Sequence, residues 1–193
     1  MDKKSATLEE IKQKANNCCA CELGKTKTNL VFSDGSADAK IFLIGEAPGA
    51  DEDMSGIPFV GRAGKLLNKF LEDAGINRET DIYIANILKC RPPQNRTPLP
   101  CEKNACFDFL KQQIDIVQPK VIILCGSCAM SMFLPQKSSI SKVRGQWFDY
   151  KDKIKMMPIF HPSYLLRNHS TEIGKPRNLT LTDLQKIKEY ISN

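Results

Sequence analysis

Four short apolar segments alternate with amphipathic stretches along the chain. The segments occupy residues 40–44, 81–87, 120–124 and 156–160, and three of them are rich in isoleucine or valine. Runs of this kind predict buried β-strands. Residues 147–150 and 154–157 lie on either side of a short polar stretch, which predicts a hairpin leading into the last strand.

The amphipathic stretches between these segments predict helices. Apolar spacing places them at residues 8–17, 65–74, 101–117, 127–133 and 182–191. Thr7 is predicted to cap the first helix, with Glu10 in the capping-box position. Because strands and helices alternate, we expect an α/β fold in which helices cover both faces of a mostly parallel sheet.

Composition is that of one soluble domain. The 193 residues are 41% hydrophobic and 26% charged, and no linker or repeat divides them. We therefore expect a single domain over residues 1–193, and a monomer. The apolar runs are too short to span a bilayer, and the first residues lack the apolar core of a signal peptide. These features predict a cytoplasmic protein that does not interact with membranes.

The net charge of +6 suits a polyanionic partner such as DNA. Several cations follow predicted strands or flank Gly/Pro loops, so they either converge on one rim or form scattered solvated charge. They are Lys89, Arg91, Arg96, Lys142, Arg144, Arg167, Lys175 and Arg177.

The segment 45–64, between the first predicted strand and a helix, has the composition of a ligand site. Its glycines and prolines allow close approach of the backbone to a ligand. It also carries an acidic cluster, which includes Glu52 and Asp53, and the aromatic Phe59. In open α/β sheets, ligands bind at the carboxyl ends of strands, so we expect chemistry here.

Eight cysteines in a cytoplasmic chain favour metal or redox chemistry over disulfides. Cys18 and Cys21 are spaced to bind one metal centre, and Cys90 and Cys106 are candidates for the remaining ligands. Four thiolates suit a [4Fe–4S] cluster, although tetrahedral zinc is also chemically possible.

A second pair, Cys125 and Cys128, lies between a strand and a helix. This position is typical of a thioredoxin-like redox pair. The preferred interpretation is a glycine turn with two small, partly buried thiols, since the order of elements does not suit a thioredoxin fold.

The last predicted strand ends at His161, followed by Pro-Ser-Tyr-Leu-Leu-Arg-Asn. A histidine at this edge can donate a hydrogen bond to a ligand oxygen. Leu165 and Leu166 are suited to press into stacked bases while Arg167 holds phosphate. The alternative is a histidine bonded to backbone and two core leucines.

Several long motifs resemble those of the family 4 uracil-DNA glycosylases. They are Gly45-Glu46-Ala47-Pro48-Gly49, residues 58–64 (PFVGRAG), residues 86–96 (NILKCRPPQNR) and residues 161–168 (HPSYLLRN). They occur in the family's order between Cys18 and Asn168. The resemblance implies a three-layer α/β/α sandwich around a four-stranded parallel sheet. It also implies that Cys18, Cys21, Cys90 and Cys106 bind a [4Fe–4S] cluster.

The same resemblance implies the removal of uracil from DNA, which leaves an abasic site for base-excision repair. The nucleotide would be flipped into a pocket. There Phe59 would stack on the uracil ring, and the Asn86 amide would pair with N3–H and O4. Glu46 would line the pocket near C5, where thymine carries a methyl group. His161 would stabilise the departing uracil anion, with help from backbone near Ala47.

The water-activating group and the DNA contacts are less directly implied. Related glycosylases carry an aspartate where this chain has Ala47, so Glu46, Glu52 and Asp53 are the candidate bases. Glu52 or Asp53 is alternatively a cap of the following helix. The predicted DNA contacts are Arg62, Leu165, Leu166 and Arg167.

Two alternative functions belong to other classes. One is a non-catalytic iron–sulfur module that binds DNA, favoured if the absence of a carboxylate at Ala47 leaves no effective base. The other is a thiol redox protein built on Cys125 and Cys128.

Overall fold

A mostly parallel sheet forms the centre of the molecule. The computed structural model describes residues 3–134, 139–151 and 153–192. The strands in these ranges are β1 (Asp34–Gly35), β2 (Ile41–Gly45), β3 (Ile82–Asn86), β4 (Val121–Cys125), β5 (Phe148–Asp149) and β6 (Lys155–Ile159). Their spatial order is β1-β3-β2-β4-β6-β5, and the central strands β2, β3 and β4 are fully buried.

The four predicted strands are confirmed as a parallel unit, β3-β2-β4-β6. Two strands of two residues each, β1 and β5, add antiparallel edges, so the sheet has six strands instead of four. The predicted hairpin is confirmed in reduced form, with β5 paired to β6. Its turn includes residue 152, which lies outside the described residues.

Helices surround this sheet. They are α1 (Lys3–Asn16), α2 (Leu23–Thr26), α3 (Ala50–Ser55), α4 (Arg62–Asp73), α5 (Pro100–Val117), α6 (Ser127–Phe133), α7 (Ile140–Val143), α8 (Pro162–Leu165) and α9 (Pro176–Ser192). The cap predicted at Thr7 is wrong, because α1 begins at Lys3 and the Thr7 hydroxyl donates to the Lys3 carbonyl within the helix. No helix in the described ranges combines the length and apolar character needed to cross a membrane.

Each face of the sheet packs against its own layer of helices. On one face Leu43 and Ile123 belong to a core with Leu67 of α4 and Ile187 of α9. On the other face, the core contains Phe42, Ile44, Leu110 and Ile114, the last two from α5. Burial on both faces explains the near-continuous apolar strands and confirms the three-layer α/β/α architecture.

The connections direct the site to one edge of the sheet. The chain runs from β2 to β3 on one side and then returns past β2 to β4 on the other. In sheets with such a reversal, ligands bind outside the carboxyl ends of the strands.

Candidate active site

A pocket of about 530 Å³ lies at the carboxyl ends of all four parallel strands. This volume is typical of small-molecule sites, which occupy about 300–1,000 Å³. We call it the strand-end pocket. It is lined by Glu46 to Gly49 after β2, Asn86 of β3, Gly126 to Cys128 after β4, His161 and Ser163 after β6, and parts of the segments 52–64 and 92–96.

Phe59 and Asn86 meet over a glycine. Gly45 and Asn86 are paired in register at the ends of β2 and β3. A Cβ on Gly45 would lie 2.3 Å from the Asn86 side-chain oxygen and 2.7 Å from the Phe59 ring. Only glycine therefore lets the ring and the amide approach each other here. Phe59 is buried, and its main chain has the left-handed conformation (φ 55°). A Cβ on Gly64 would clash with the Phe59 carbonyl group, so a glycine at position 64 leaves room for this main chain.

His161 is held in one orientation and one tautomer. Its Nδ1 accepts hydrogen bonds from the Ser163 N–H at 3.2 Å and from the Ser163 hydroxyl at 2.8 Å. Nδ1 thus carries no proton, and in the neutral ring the N–H is at Nε2. Burial lowers the pKa of His161 to about 4, so the ring is neutral at physiological pH. Its ring centroid lies 6.0 Å from that of Phe59.

The three candidate carboxylates have different surroundings. Glu46 lines the pocket, where burial raises the pKa of its carboxyl group and a hydrogen bond with the Cys128 thiol partly offsets that rise. Glu52 accepts hydrogen bonds from the N–H groups of Gly49, Val60 and Gly61 at 2.8–3.0 Å. Glu52 therefore fixes the turn that carries Phe59.

Asp53 is buried away from the pocket. Its carboxylate accepts from the Thr28 N–H at 2.9 Å and from the Asn29 N–H at 3.4 Å. Both carboxylates accept hydrogen bonds from main-chain N–H groups, and Glu52 also lines the pocket, whereas Asp53 is not among the lining residues. The catalytic role predicted for Glu52 and Asp53 stays a prediction. The alternative expectation is that Glu52 or Asp53 caps the following helix. The N-cap residues are instead Gly49 for α3 and Gly61 for α4, and Glu52 accepts the N–H groups of both.

Leu165 is not available to DNA. It is fully buried in the core, and its carbonyl accepts two hydrogen bonds of 3.2 Å from Arg177. Its prediction as a DNA contact is wrong, because the short helix α8 turns this side chain inward. Leu166 remains half-buried, and Arg62 and Arg167 are exposed near the pocket-forming loops. For these three residues DNA contact stays a prediction.

The predicted cation rim forms only in part. Lys89 is fully buried, and Arg144 donates to the buried carboxylate of Asp183 in α9. Arg96 does line the strand-end pocket, held by Glu102 through two hydrogen bonds of 2.9 and 2.6 Å. Sequence analysis named Arg96 as a motif residue and as a candidate for the cation rim, but not as a residue that lines the pocket.

The predicted metal ligands converge in a second cavity. Cys18, Cys21, Cys90 and Cys106 all line it, together with Lys89. We call it the thiol cavity. Burial raises the pKa of Cys90 to about 12 and also raises that of Cys106. In the described part of the chain, no three histidine, cysteine or acidic side chains lie close enough to bind a single ion.

Cys125 and Cys128 are free thiols in different surroundings. Cys125 is buried at the end of β4, and Cys128 lines the strand-end pocket. Burial raises the pKa of both thiols, that of Cys128 to about 11. Neither thiol is therefore activated as a redox nucleophile. Sequence reasoning considered a redox role for Cys128 and preferred a partly buried thiol at a glycine turn, but it missed the position of Cys128 in the pocket.

Comparison with known proteins agrees with this geometry. Residues 32–185 match the Uracil DNA glycosylase superfamily. The chain is 48% identical to a "Type-4 uracil-DNA glycosylase" of Thermotoga maritima, over 95% of this chain and 94% of that protein. It is 42% identical to the protein of that name from Archaeoglobus fulgidus, over 83% of each. The corresponding protein of Sulfurisphaera tokodaii is 39% identical over 95% of this chain and 84% of its own length.

The fold and the strand-end pocket thus define a member of the uracil-DNA glycosylase superfamily. Within that superfamily, the chain belongs to the type-4 uracil-DNA glycosylases. The family resemblance carried by the motifs is confirmed.

Proposed function

We propose that this protein is a uracil-DNA glycosylase that flips uracil out of DNA and hydrolyses its N-glycosidic bond. The product is an abasic site in an unbroken strand. The observation that carries this proposal is the meeting of Phe59, Asn86 and His161 in one pocket. A flat ring, an amide and a neutral imidazole are the groups that recognition and release of uracil require.

Recognition rests on Phe59 and Asn86. The Phe59 ring offers a face for stacking, and the buried Asn86 amide offers one acceptor and two donors. Uracil presents N3–H and O4 to such an amide, whereas cytosine presents an acceptor and a donor. A fixed amide would leave mismatched polar groups buried with cytosine, which gives strong discrimination.

Bond cleavage leaves negative charge on uracil, and His161 is placed to stabilise it. The tautomer set by Ser163 carries its proton on Nε2. A neutral N–H donor beside the developing anion acts like one member of an oxyanion hole. Because the ring is held in place before the reaction, little reorganisation is needed when charge appears.

Glu46 is our candidate for orienting the attacking water. Of the three carboxylates considered, it lines the pocket without a main-chain N–H partner among the described contacts. Ala47 cannot accept a proton, and Glu52 and Asp53 are engaged elsewhere. Burial raises the pKa of Glu46 toward the operating pH, which makes its carboxylate a more effective base.

The thiol cavity is our candidate site for a [4Fe–4S] cluster. The four cysteines for which the family resemblance implies a cluster line this one cavity. Four thiolates suit such a cluster, and tetrahedral zinc is the chemical alternative, which iron and zinc analysis distinguishes. When bound, the cluster would supply covalent cross-links between the N-terminal segment, the loop after β3 and α5. Hydrolysis needs no electron transfer, so we assign it a structural role.

The alternative functions have weaker support. A thiol redox protein would need a thiolate, yet burial raises the pKa of Cys125 and Cys128. A DNA-binding module without catalysis would not need a neutral histidine beside an aromatic ring and an amide. The predicted cytoplasmic location and monomeric state stay predictions.

The test is cleavage of a labelled oligonucleotide that contains one uracil, beside thymine and cytosine controls. We expect alkali-labile product from uracil alone. Asn86→Ala should reduce the single-turnover rate by about 100-fold or more, since uracil would lose its edge contacts. Cys125→Ser should retain full activity. An iron-replete protein that yields no product would support the non-catalytic DNA-binding module instead.

A further inference from the structure

Lys89 is a fully buried lysine that contacts the uracil-reading residue. It is 1% exposed, and its Nζ donates to the main-chain carbonyl of Asn86 at 2.7 Å and to the Gln113 side-chain oxygen at 2.6 Å. Gln113 is itself fixed, because its amide donates to the Phe32 carbonyl and the Tyr83 hydroxyl at 3.2 Å. Lys89 is therefore positioned by a rigid buried network.

The partners of this ammonium group are all neutral. Both acceptors are amide oxygens, and the nearest aromatic contact is the Phe32 ring, with its centroid 5.8 Å away. In the described part of the chain, no carboxylate lies within ion-pair distance of Lys89. A buried charge without a partner of opposite sign is strongly destabilising. An anionic group nearby would stabilise the charged form of such a lysine.

The thiol cavity provides the place for that anion. Lys89 lines it together with Cys106 and directly precedes Cys90 in sequence, and its positive charge favours the thiolate forms of nearby cysteines. Four thiolates around a [4Fe–4S]²⁺ core carry a net charge of −2. An ammonium group at the wall of this cavity offsets part of that charge, while the cluster offsets the desolvation of the ammonium group.

We propose that Lys89 is a positioning residue that couples the thiol cavity to uracil recognition. Its charge balances the anionic cluster, and its hydrogen bond to the Asn86 carbonyl fixes the end of β3 that presents the reading amide. Loss of the cluster would leave the charge of Lys89 uncompensated and disturb Asn86. This inference rests on the proposed function and on the proposed cluster.

The test compares Lys89→Met, which lacks both charge and donor, with Lys89→Gln, which keeps an N–H donor without the charge. Lys27→Met is the matched control. The positive charge of Lys27 partly offsets the rise in the pKa of Cys90. Unlike Lys89, the Lys27 ammonium group makes no hydrogen bond to Asn86 in the described part of the chain, and it donates to the carbonyls of Asn16 and Gly24. Measurements are iron content, the midpoint potential of the cluster, and KM and kcat on uracil-containing DNA.

We expect the midpoint potential to become more negative in both Lys89 variants, because removing a nearby positive charge disfavours reduction. KM should rise roughly tenfold in Lys89→Met, about the effect of one lost hydrogen bond. The rise should be smaller in Lys89→Gln. Lys27→Met should shift the potential and leave KM unchanged.

Different outcomes separate this inference from the proposed function. Wild-type protein that binds iron but does not cut uracil-containing DNA would refute the function, while the midpoint potentials would still test the charge balance. Active wild-type protein with unchanged potential and KM in Lys89→Met would overturn the inference. Wild-type protein without iron would also overturn it. If Lys89→Met does not fold, Lys89→Gln provides the same comparison of potentials.

Discussion

At the scale of single residues, the protonation state of His161 links stability to catalysis. The folded protein holds this ring neutral down to a pKa of about 4, whereas an unfolded histidine takes up its proton near pH 6.5. Between these values the unfolded state binds more protons, so stability rises with pH through this window and is lost as pH falls through it. Above pH 6.5 the neutral His161 ring makes its full contribution to the free energy of unfolding.

The first prediction concerns this window. The free energy of unfolding of the wild type should rise relative to that of His161→Gln between about pH 4 and 6.5, measured by urea denaturation at a series of pH values. Because both proteins contain His169, its contribution cancels in the difference between their free energies of unfolding. Parallel curves for the two proteins across this range would show that His161 titrates normally.

A companion to this first prediction concerns the rate of bond cleavage, which we propose depends on the same residue. His161→Ala should slow single-turnover cleavage by about 100-fold or more, a larger loss than any single change at Glu46, Glu52 or Asp53. The wild-type rate should show no inflection near pH 6.5, because the ring is already neutral there. A carboxylate variant that is inactive at all pH values, beside an active His161→Ala, would reverse this assignment.

Sequence identified these site residues better than it identified their roles. The positions of Phe59 and His161 were predictable because one lies in a Gly/Pro loop and the other follows a strand, whereas Asn86 was named through the family resemblance. All three line the strand-end pocket, and their roles stay predictions. The three hydrogen bonds that Glu52 accepts from main-chain N–H groups were not predictable, since they depend on the left-handed turn at Phe59. The burial of Lys89 was also hidden, because a lysine after a strand is usually solvated.

At the scale of secondary structure, the two adjacent leucines at the end of the short helix α8 differ in burial. Leu165 belongs to the core shared with α4 and α9, whereas Leu166 is half-buried. The sequence could not show which of the two leucines is buried, because α8 has only four residues and is too short for a helical hydrophobic pattern. By contrast, the long runs of β2, β3, β4 and β6 were predicted within a residue or two.

The second prediction uses this pair. Leu165→Ala should cost about 2–5 kcal/mol of stability, the usual effect of truncating a core leucine. Leu166→Ala should cost much less stability but reduce cleavage of uracil in duplex DNA more than in single strands, as expected of a residue that fills the gap left by a flipped base. Thermal melting and rates on both substrates provide the comparison.

Equal effects of Leu166→Ala on single-stranded and duplex substrates would contradict its role in duplex DNA. A near-neutral Leu165→Ala would contradict the observed packing of Leu165. The two variants serve as controls for each other, because they remove the same side chain from adjacent positions.

At the scale of the whole molecule, the N-terminal segment is attached to the α/β body in two ways. α1 packs on α5 through a small core that includes Ile11 and Ala15 with Phe32. The thiol cavity joins the same segments again, since Cys18 and Cys21 follow α1 while Cys106 lies in α5. None of the four proposed ligands belongs to a strand. If the proposed cluster is removed, we therefore expect the sheet to persist while the N-terminal segment loosens.

The third prediction compares cysteines that are close in sequence but differ in exposure. Cys106→Ser should lose iron, lower the melting temperature and speed tryptic cleavage at Lys25 and Lys27 several-fold, because the second attachment is gone. Cys101→Ser, an exposed position in the same helix, should behave like the wild type. Iron analysis, calorimetry and timed proteolysis test this difference. If Cys106→Ser keeps its iron and has the same melting temperature as Cys101→Ser, the proposed ligand set is wrong. In that case only the packing of α1 on α5 holds the N-terminal segment.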